Sequence, residues 1–258
     1  MRGSTRACIA AKFVPYVGAA LLLWAFAGGA EAACQDAPNP GVDWSNCSKA
    51  RLLLTDDDLT GAIFSRSLLT FSDLSASKLV NAKLDETEIS RTRFEGGDLA
   101  RADFTKAIGW RSNFSRANLA GTNFGSADLN RSNFAQAKAV GANFAKSELN
   151  RSDFTGADLT GADMSRAELA RVVFQSAKLD GVNFSYSNLS RAKLDGTDLQ
   201  GVNLTRSYLY LTQLGGTNLI GTIGLIQAQL DMACGTAETK IPAGLTRPQS
   251  WPCAEDTD

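Results

Sequence analysis

The strongest constraint on this chain is a five-residue period that runs without a break. Stepping by five from Leu54 to Leu219 visits 34 positions, and all but Gly109 and Ala139 are Leu, Ile, Phe or Met. Two residues before these centres, the 33 positions from Ala62 to Thr222 hold only Ala, Ser, Thr, Gly or Val. An amphipathic helix would place apolar residues three and four apart, and a half-buried strand would alternate at two. A strict five fits neither. It requires a chain that turns a corner every five residues, with one large and one small side chain pointing inward between corners. A fixed repeat outranks local propensity, because it decides the architecture.

Stretches such as Ala127-Asp128-Leu129-Asn130-Arg131 and Ala157-Asp158-Leu159-Thr160-Gly161 show the full unit. This pattern resembles the pentapeptide-repeat family, whose unit is written A(D/N)LXX, and the resemblance covers residues 52–222. It implies an all-β fold, a right-handed quadrilateral β-helix with four pentapeptides in each 20-residue coil. A 20-residue period is also present in the residues. Phe fills centres 94, 104, 114, 124, 134, 144, 154, 174 and 184, with Met164 in the gap, and Leu takes most centres between. In a four-sided coil this puts Phe on two opposite faces, with rings stacked coil upon coil. At the β-strand spacing of ~4.8 Å, the coils make a rod roughly 40 Å long.

A solenoid cannot bury its own ends, and an uncapped coil exposes edge backbone. Residues 33–52, with Cys34, Pro40, Trp44 and Cys47, read as an N-terminal cap to a solenoid over 53–224. After Gly224 the phase fails. Residues 225–258 read as a C-terminal cap, with a short helix over Leu225–Leu230 and a tail rich in proline and stapled by cysteine.

The first residues read as a leader. Arg2, Arg6 and Lys12 precede an apolar run from Phe13 to Ala27, and Ala30-Glu31-Ala32 offers a cleavage site, so residues 1–32 are read as a removed signal peptide. The run is shorter than the ~20 residues of a membrane span, and the mature chain is expected to have no such span. Of five cysteines, Cys8 leaves with the leader. Cys34, Cys47, Cys234 and Cys253 remain, an even set suited to an oxidising compartment. Three connectivities are open, and the sequence-local one would staple each end separately. A lipid-bearing Cys34 is set aside, because Glu31-Ala32-Ala33 lacks a leucine-like residue and lipidation would strand Cys47. The expected location is periplasmic or secreted.

Side chains outside the inward rows fall into columns spaced by 20. Arg91, Arg111, Arg131, Arg151, Arg171 and Arg191 form an arginine ladder, a candidate strip for anions such as acidic glycans or lipid headgroups. Glu88, Asp128, Glu148 and Glu168 lie three residues earlier, so the leading expectation is salt bridges within each pentapeptide, as between Asp128 and Arg131. A column from Asp58 through Lys78, Asp98, Asn118, Lys138 and Asp158 to Lys178 and Asp198 hardly places like charges on adjacent coils, which favours register. Gly121, Gly141, Gly161, Gly181, Gly201 and Gly221 form a column that a turn requirement explains. Tyr186, Tyr208, Tyr210 and Leu211 occupy outward slots near the C-terminal end. The leading expectation is that the tail, with Trp251, folds back over them, and the rival is a dimer or partner contact. At Gly109 the core loses a side chain, and the neighbouring Trp110 is expected to bend inward.

There is no histidine, the commonest general base and metal ligand, and no phosphate-cradling or dinucleotide fingerprint. The chain therefore reads as a non-enzyme, without cofactor or metal. Its formal net charge is −1, and loss of Arg2, Arg6, Lys12 and Glu31 leaves −3. That balance argues against nucleic acid as a partner. Some relatives in the resembled family mimic DNA toward gyrase, which needs a denser acidic surface than this one. The resulting expectation is a periplasmic interaction scaffold with an unidentified protein partner, homodimeric through its C-terminal end. Gyrase mimicry and the anion strip stand as alternatives.

Overall fold

The computed structural model describes residues 34–253. The leader over residues 1–32 lies outside them. Between corners each side is a three-residue extended segment, and each corner is a β-turn. The amide of Ala62, for example, donates to Leu59 O at 3.0 Å, and Gly61 between them sits at φ +68°. A positive φ at the third turn residue is the type II pattern. It recurs at every corner from Gly41 to Gly221, at 25 non-glycine residues as well as at glycines.

Successive coils lie in parallel register. Bridges join mid-side residues to those 20 later, from Asp43 with Ile63 to Asn203 with Ile223. Backbone bonds run both ways between coils: Phe64 N donates to Lys83 O at 2.7 Å, and Lys83 N donates back to Ala62 O at 2.9 Å. Four sides of five residues thus close one coil of 20. Each side pairs with the coils above and below, which leaves free edge backbone only at the two ends.

The interior matches the two inward rows. The centres are buried, and the Phe columns stack, with centroids of Phe94 and Phe114, and of Phe104 and Phe124, both 4.9 Å apart. Across the coil the two columns meet edge to face, as Phe104 does Phe114 at 5.7 Å. Burial of each ring is worth ~1.5–3 kcal/mol before entropy. Most of the small inward hydroxyls bond the carbonyl 23 residues earlier, while others, such as Ser147 and Ser187, bond the carbonyl three residues earlier in their own turn. Thr92 Oγ1 reaches Leu69 O at 2.7 Å, and Ser132 Oγ reaches Gly109 O at 2.8 Å. Ser67 Oγ is the exception, buried without a partner among the described residues.

Both ends differ from the sequence-based expectation in where the solenoid stops. At the N-terminus the coil already includes the segment read as a cap. Val42 and Cys47 occupy the small inward row, and Trp44 takes a centre, 1 % exposed and edge-on to Phe64. At the C-terminus coil pairing continues beyond Gly224 in steps longer than 20. Gln213 bridges Cys234 and Asn218 bridges Lys240. The surplus residues form the helix α1, Gln227–Met232, two residues later than expected. Its Gln229 is buried under the last coil, and Nε2 donates to Leu204 O and Ser207 O, both at 2.8 Å. Disulfides join Cys34 to Cys47 and Cys234 to Cys253, with Cα–Cα separations of 5.6 and 5.4 Å. Trp251 packs against Gly235 and donates to Ala233 O at 2.6 Å, closing the end.

Candidate functional site

With 20 residues per coil, each side recurs at a fixed phase, so surface features can be assigned to sides. One side runs through residues 107–109 and their equivalents, bounded by corners 105–106 and 110–111. All five exposed aromatic residues among the described residues lie on it or on its corners: Phe71, Trp110, Tyr186, Tyr208 and Tyr210. The arginine ladder forms one of its two edges. The glycine column forms the diagonally opposite corner of the rod.

The glycines do sit at positive φ, +64° at Gly121 and +66° at Gly181. Turn geometry alone does not explain them, however, because Arg111, Arg131 and Arg151 hold the same backbone region at φ 58°, 60° and 61°. A left-handed residue with a side chain costs about 1 kcal/mol. The ladder is therefore not a product of what the corner prefers.

The salt bridge expected between Asp128 and Arg131 is not formed. Five ion pairs instead join residues one coil apart: Arg93 with Asp73 at 2.9 Å, Lys178 with Asp158 at 3.2 Å, Lys78 with Asp58 at 3.9 Å, Lys106 with Glu86 at 3.8 Å, and Arg116 with Glu95. Two of these fall in the Asp58–Asp198 column, whose register role they support. The acids beside the ladder are instead held by neutral donors. Trp110 Nε1 donates to Asp128 Oδ2, and Asn130 Nδ2 donates to Asp128 Oδ1 at 2.7 Å and to Glu148 Oε2 at 3.1 Å. Nearest-neighbour polar contacts in this fold lie across the coil stack, where strands are ~4.8 Å apart. A residue three positions on has already reached the corner.

Along the ladder the arginines differ. Arg91 stacks over Phe71 at 5.3 Å, with Arg51 on the ring's other neighbouring coil at 5.9 Å. Arg111, Arg131 and Arg151 are exposed and take part in no ion pair among the described residues. Arg171 and Arg191 are half-buried and engaged. A groove of about 720 Å³ follows the four arginines from Arg91 to Arg151, with Trp110 and Ile108 adding apolar surface and Ser90, Asn130 and Asn150 adding polar groups.

Trp110 does not bend inward. It is 53 % exposed, and the space beside Gly109 is filled from the coils above and below. A Cβ there would meet Leu129 Cδ2 at 2.7 Å and Ile89 Cγ1 at 2.9 Å. Nor does the tail cover the tyrosines. Trp251 is committed to the end cap, while Tyr208 and Tyr210 are each 46 % exposed and their rings stack at 6.1 Å. Tyr186 stands apart on the other corner of the same side, its ring between Arg166 and Arg206 at 5.7 and 5.5 Å. Leu211 is half-buried, its amide bonded to Met232 O at 2.8 Å, so it belongs to the junction with α1 rather than to an open patch. Trp110 and the groove are the features that sequence reasoning missed. The signal was present in the phase: residues 108, 110, 208 and 210 share one side once the 20-residue period is imposed.

No group of three or more His, Cys, Asp or Glu among the described residues could hold a metal ion. No helix among them is long and apolar enough to cross a membrane.

A four-cornered solenoid with inward centre and small-residue rows, left-handed corners and 20-residue register defines the quadrilateral β-helix class. The chain belongs to the pentapeptide-repeat family. The model described as "Pentapeptide repeats (8 copies)" matches residues 54–91 and 87–125, and that described as "Pentapeptide repeat region" matches 107–184 and 147–222. Among solved structures it is similar to HetL from the cyanobacterium Nostoc sp. strain PCC 7120, a pentapeptide-repeat protein involved in heterocyst differentiation regulation. Identity is 26 % over 82 % of this chain and 92 % of that one, with a TM-score of 0.55. Full-length QnrB1, a plasmid-mediated fluoroquinolone resistance protein, is 16 % identical over 76 % of this chain and 94 % of that one, with a TM-score of 0.34. No curated protein sequence matches the chain.

Proposed function

We propose that this protein is a non-enzymatic interaction scaffold of the periplasm or cell exterior, and that the side edged by the arginine ladder is its working surface. The observation that carries this reading is the confinement of the five exposed aromatics among the described residues to that side and its corners. Exposed aromatic and arginine surface is the composition of contact sites, and the mid-side slots of the other sides are filled mainly by ion pairs and amide ladders that serve register. Two disulfides support export, as does the leader-like first segment. Sequencing the N-terminus of the purified protein tests export, with a start at or within two residues of Ala33 expected.

The Tyr208–Tyr210 stack supports self-association near the C-terminal end, with a second copy covering both rings. Multi-angle light scattering on the exported protein tests this. A mass of two chains that falls to one in Tyr208→Asp and Tyr210→Asp is expected. A monomer indifferent to either substitution removes the dimer. DNA mimicry is disfavoured by the row of exposed arginine corners, which a surrogate for phosphate would not present.

A further inference from the structure

We infer that the groove between Arg91 and Arg151 binds a linear acidic polysaccharide of the polyuronate kind, lying along the rod axis. The inference rests on this side being the working surface, but it uses residues separate from the tyrosine contact.

Charge is the first argument. Arg111, Arg131 and Arg151 are exposed on three successive coils and take part in no ion pair among the described residues. The acids that could have neutralised them, Asp128 and Glu148, accept hydrogen bonds from Trp110 Nε1 and Asn130 Nδ2 instead. The side therefore keeps its guanidinium row available. Maintaining like charges at adjacent corners is unfavourable in the empty protein, and an anionic ligand would relieve it.

Spacing is the second. The guanidinium row repeats at the coil interval of ~4.8 Å. An extended uronate chain carries one carboxylate per sugar at a comparable interval, with successive groups turned to different sides of the chain. Those that face the groove can therefore meet arginines about two coils apart. The planar fork of arginine matches a carboxylate in two parallel hydrogen bonds.

The third is the companion chemistry. Trp110 is half-exposed beside Arg111, its ring held by the indole bond to Asp128. An indole face of this kind packs against the C–H face of a pyranose, and Asn130, Asn150 and Ser90 offer polar groups for its hydroxyls. Nucleic acid fits less well. A duplex requires a broad basic footprint on a protein whose formal charge is −1. A single strand requires aromatic platforms for successive bases, and this groove contains one aromatic across four coils.

The test is titration of the exported protein with an oligogalacturonate, by calorimetry and by tryptophan emission. Trp44 and Trp251 are buried, so the emission change reports Trp110. We expect binding that weakens at least about tenfold in the R131Q/R151Q double variant, weakens less in R131K/R151K, which keeps the charge but not the fork, and falls as salt is raised. Glutamine already occupies a corner of this geometry at Gln136, φ 60°, so the double variant is expected to keep its fold, checked by its melting temperature. Equal binding by R131Q/R151Q overturns the inference. So does equal binding of a neutral glucan of the same length, or binding of a single-stranded oligodeoxynucleotide where the oligogalacturonate fails. The same variants keep their scattering mass whichever way the titration falls, so a failed groove is distinguishable from a failed dimer contact.

Discussion

Gln229 donates its side-chain amide to Leu204 O at 2.8 Å, and through this bond the helix closes the last full coil of the rod. The same nitrogen also reaches Ser207 O and Ser207 Oγ, while Oε1 accepts from Ile226 N at 3.0 Å. One buried amide thus satisfies carbonyls that a further coil would otherwise have bonded. Replacing it with leucine strands Ser207 O, while Leu204 O keeps its bonds from Ser207 N and Oγ, and ~1–3 kcal/mol of stability is expected to be lost. Gln229→Glu should cost more, because a carboxylate would face carbonyl oxygens. Chemical denaturation of both variants checks the order.

The disulfides are expected to hold the ends rather than the rod. They close loops of 13 and 19 residues in sequence, for which chain entropy gives about 3 kcal/mol each. Cys47 is also 2 % exposed within the inward row, so Cys47→Ser buries a hydroxyl as well. Cys34→Ser should therefore be milder than Cys47→Ser in melting temperature. Hydrogen exchange should rise first near residues 34–50.

Two inward hydroxyls separate satisfied from unsatisfied burial. Ser67 Oγ has no partner among the described residues, whereas Thr92 Oγ1 bonds Leu69 O at 2.7 Å. Ser67→Ala is expected to be neutral or to stabilise by up to about 1 kcal/mol, and Thr92→Ala to destabilise by ~1 kcal/mol or more. Denaturation midpoints at constant slope decide between them.

Acid should weaken the register column and its neighbour. Burial pushes Asp73 and Asp158 up, but hydrogen bonds from Ser75 and Thr160, with Arg93 and Lys178 opposite, outweigh it and lower both carboxyls below 3.8. A carboxylate lowered in the folded state contributes stability that is present above its unfolded pKa and is lost as pH falls through the folded pKa. Melting temperature should therefore decline below about pH 4, and the decline should be shallower in D73N/D158N. An equally steep acid limb in that variant would assign the loss to other groups.

Much of the fold was legible because the inward rows repeat without insertion. Phe94 and Phe114 are 20 residues apart in the chain and 4.9 Å apart in space, as the period requires. The ends were less legible. Cys47 and Trp44 already occupy inward rows, but cysteine and tryptophan are not the residues the repeat uses there. The partner of Asp128 was misread because distance along the chain was taken as nearness, and Arg131, three residues on, stands at the corner while Trp110 of the preceding coil reaches the acid. The outward pose of Trp110 depends on Ile89 and Leu129 filling the space beside Gly109, a packing fact that no single coil contains.

The central claim is that one side of the rod does the binding, and site-specific photocrosslinking in the native envelope tests it most directly. A photoreactive residue would replace Trp110, Tyr208 or Tyr210 on the aromatic side, and Asn118, Lys138 or Asn203 on the others. The account predicts crosslinked products, to a second copy or to envelope material, from the first three positions and none from the last three. Crosslinks distributed equally over all sides, or confined to Asn118, Lys138 and Asn203, would contradict it.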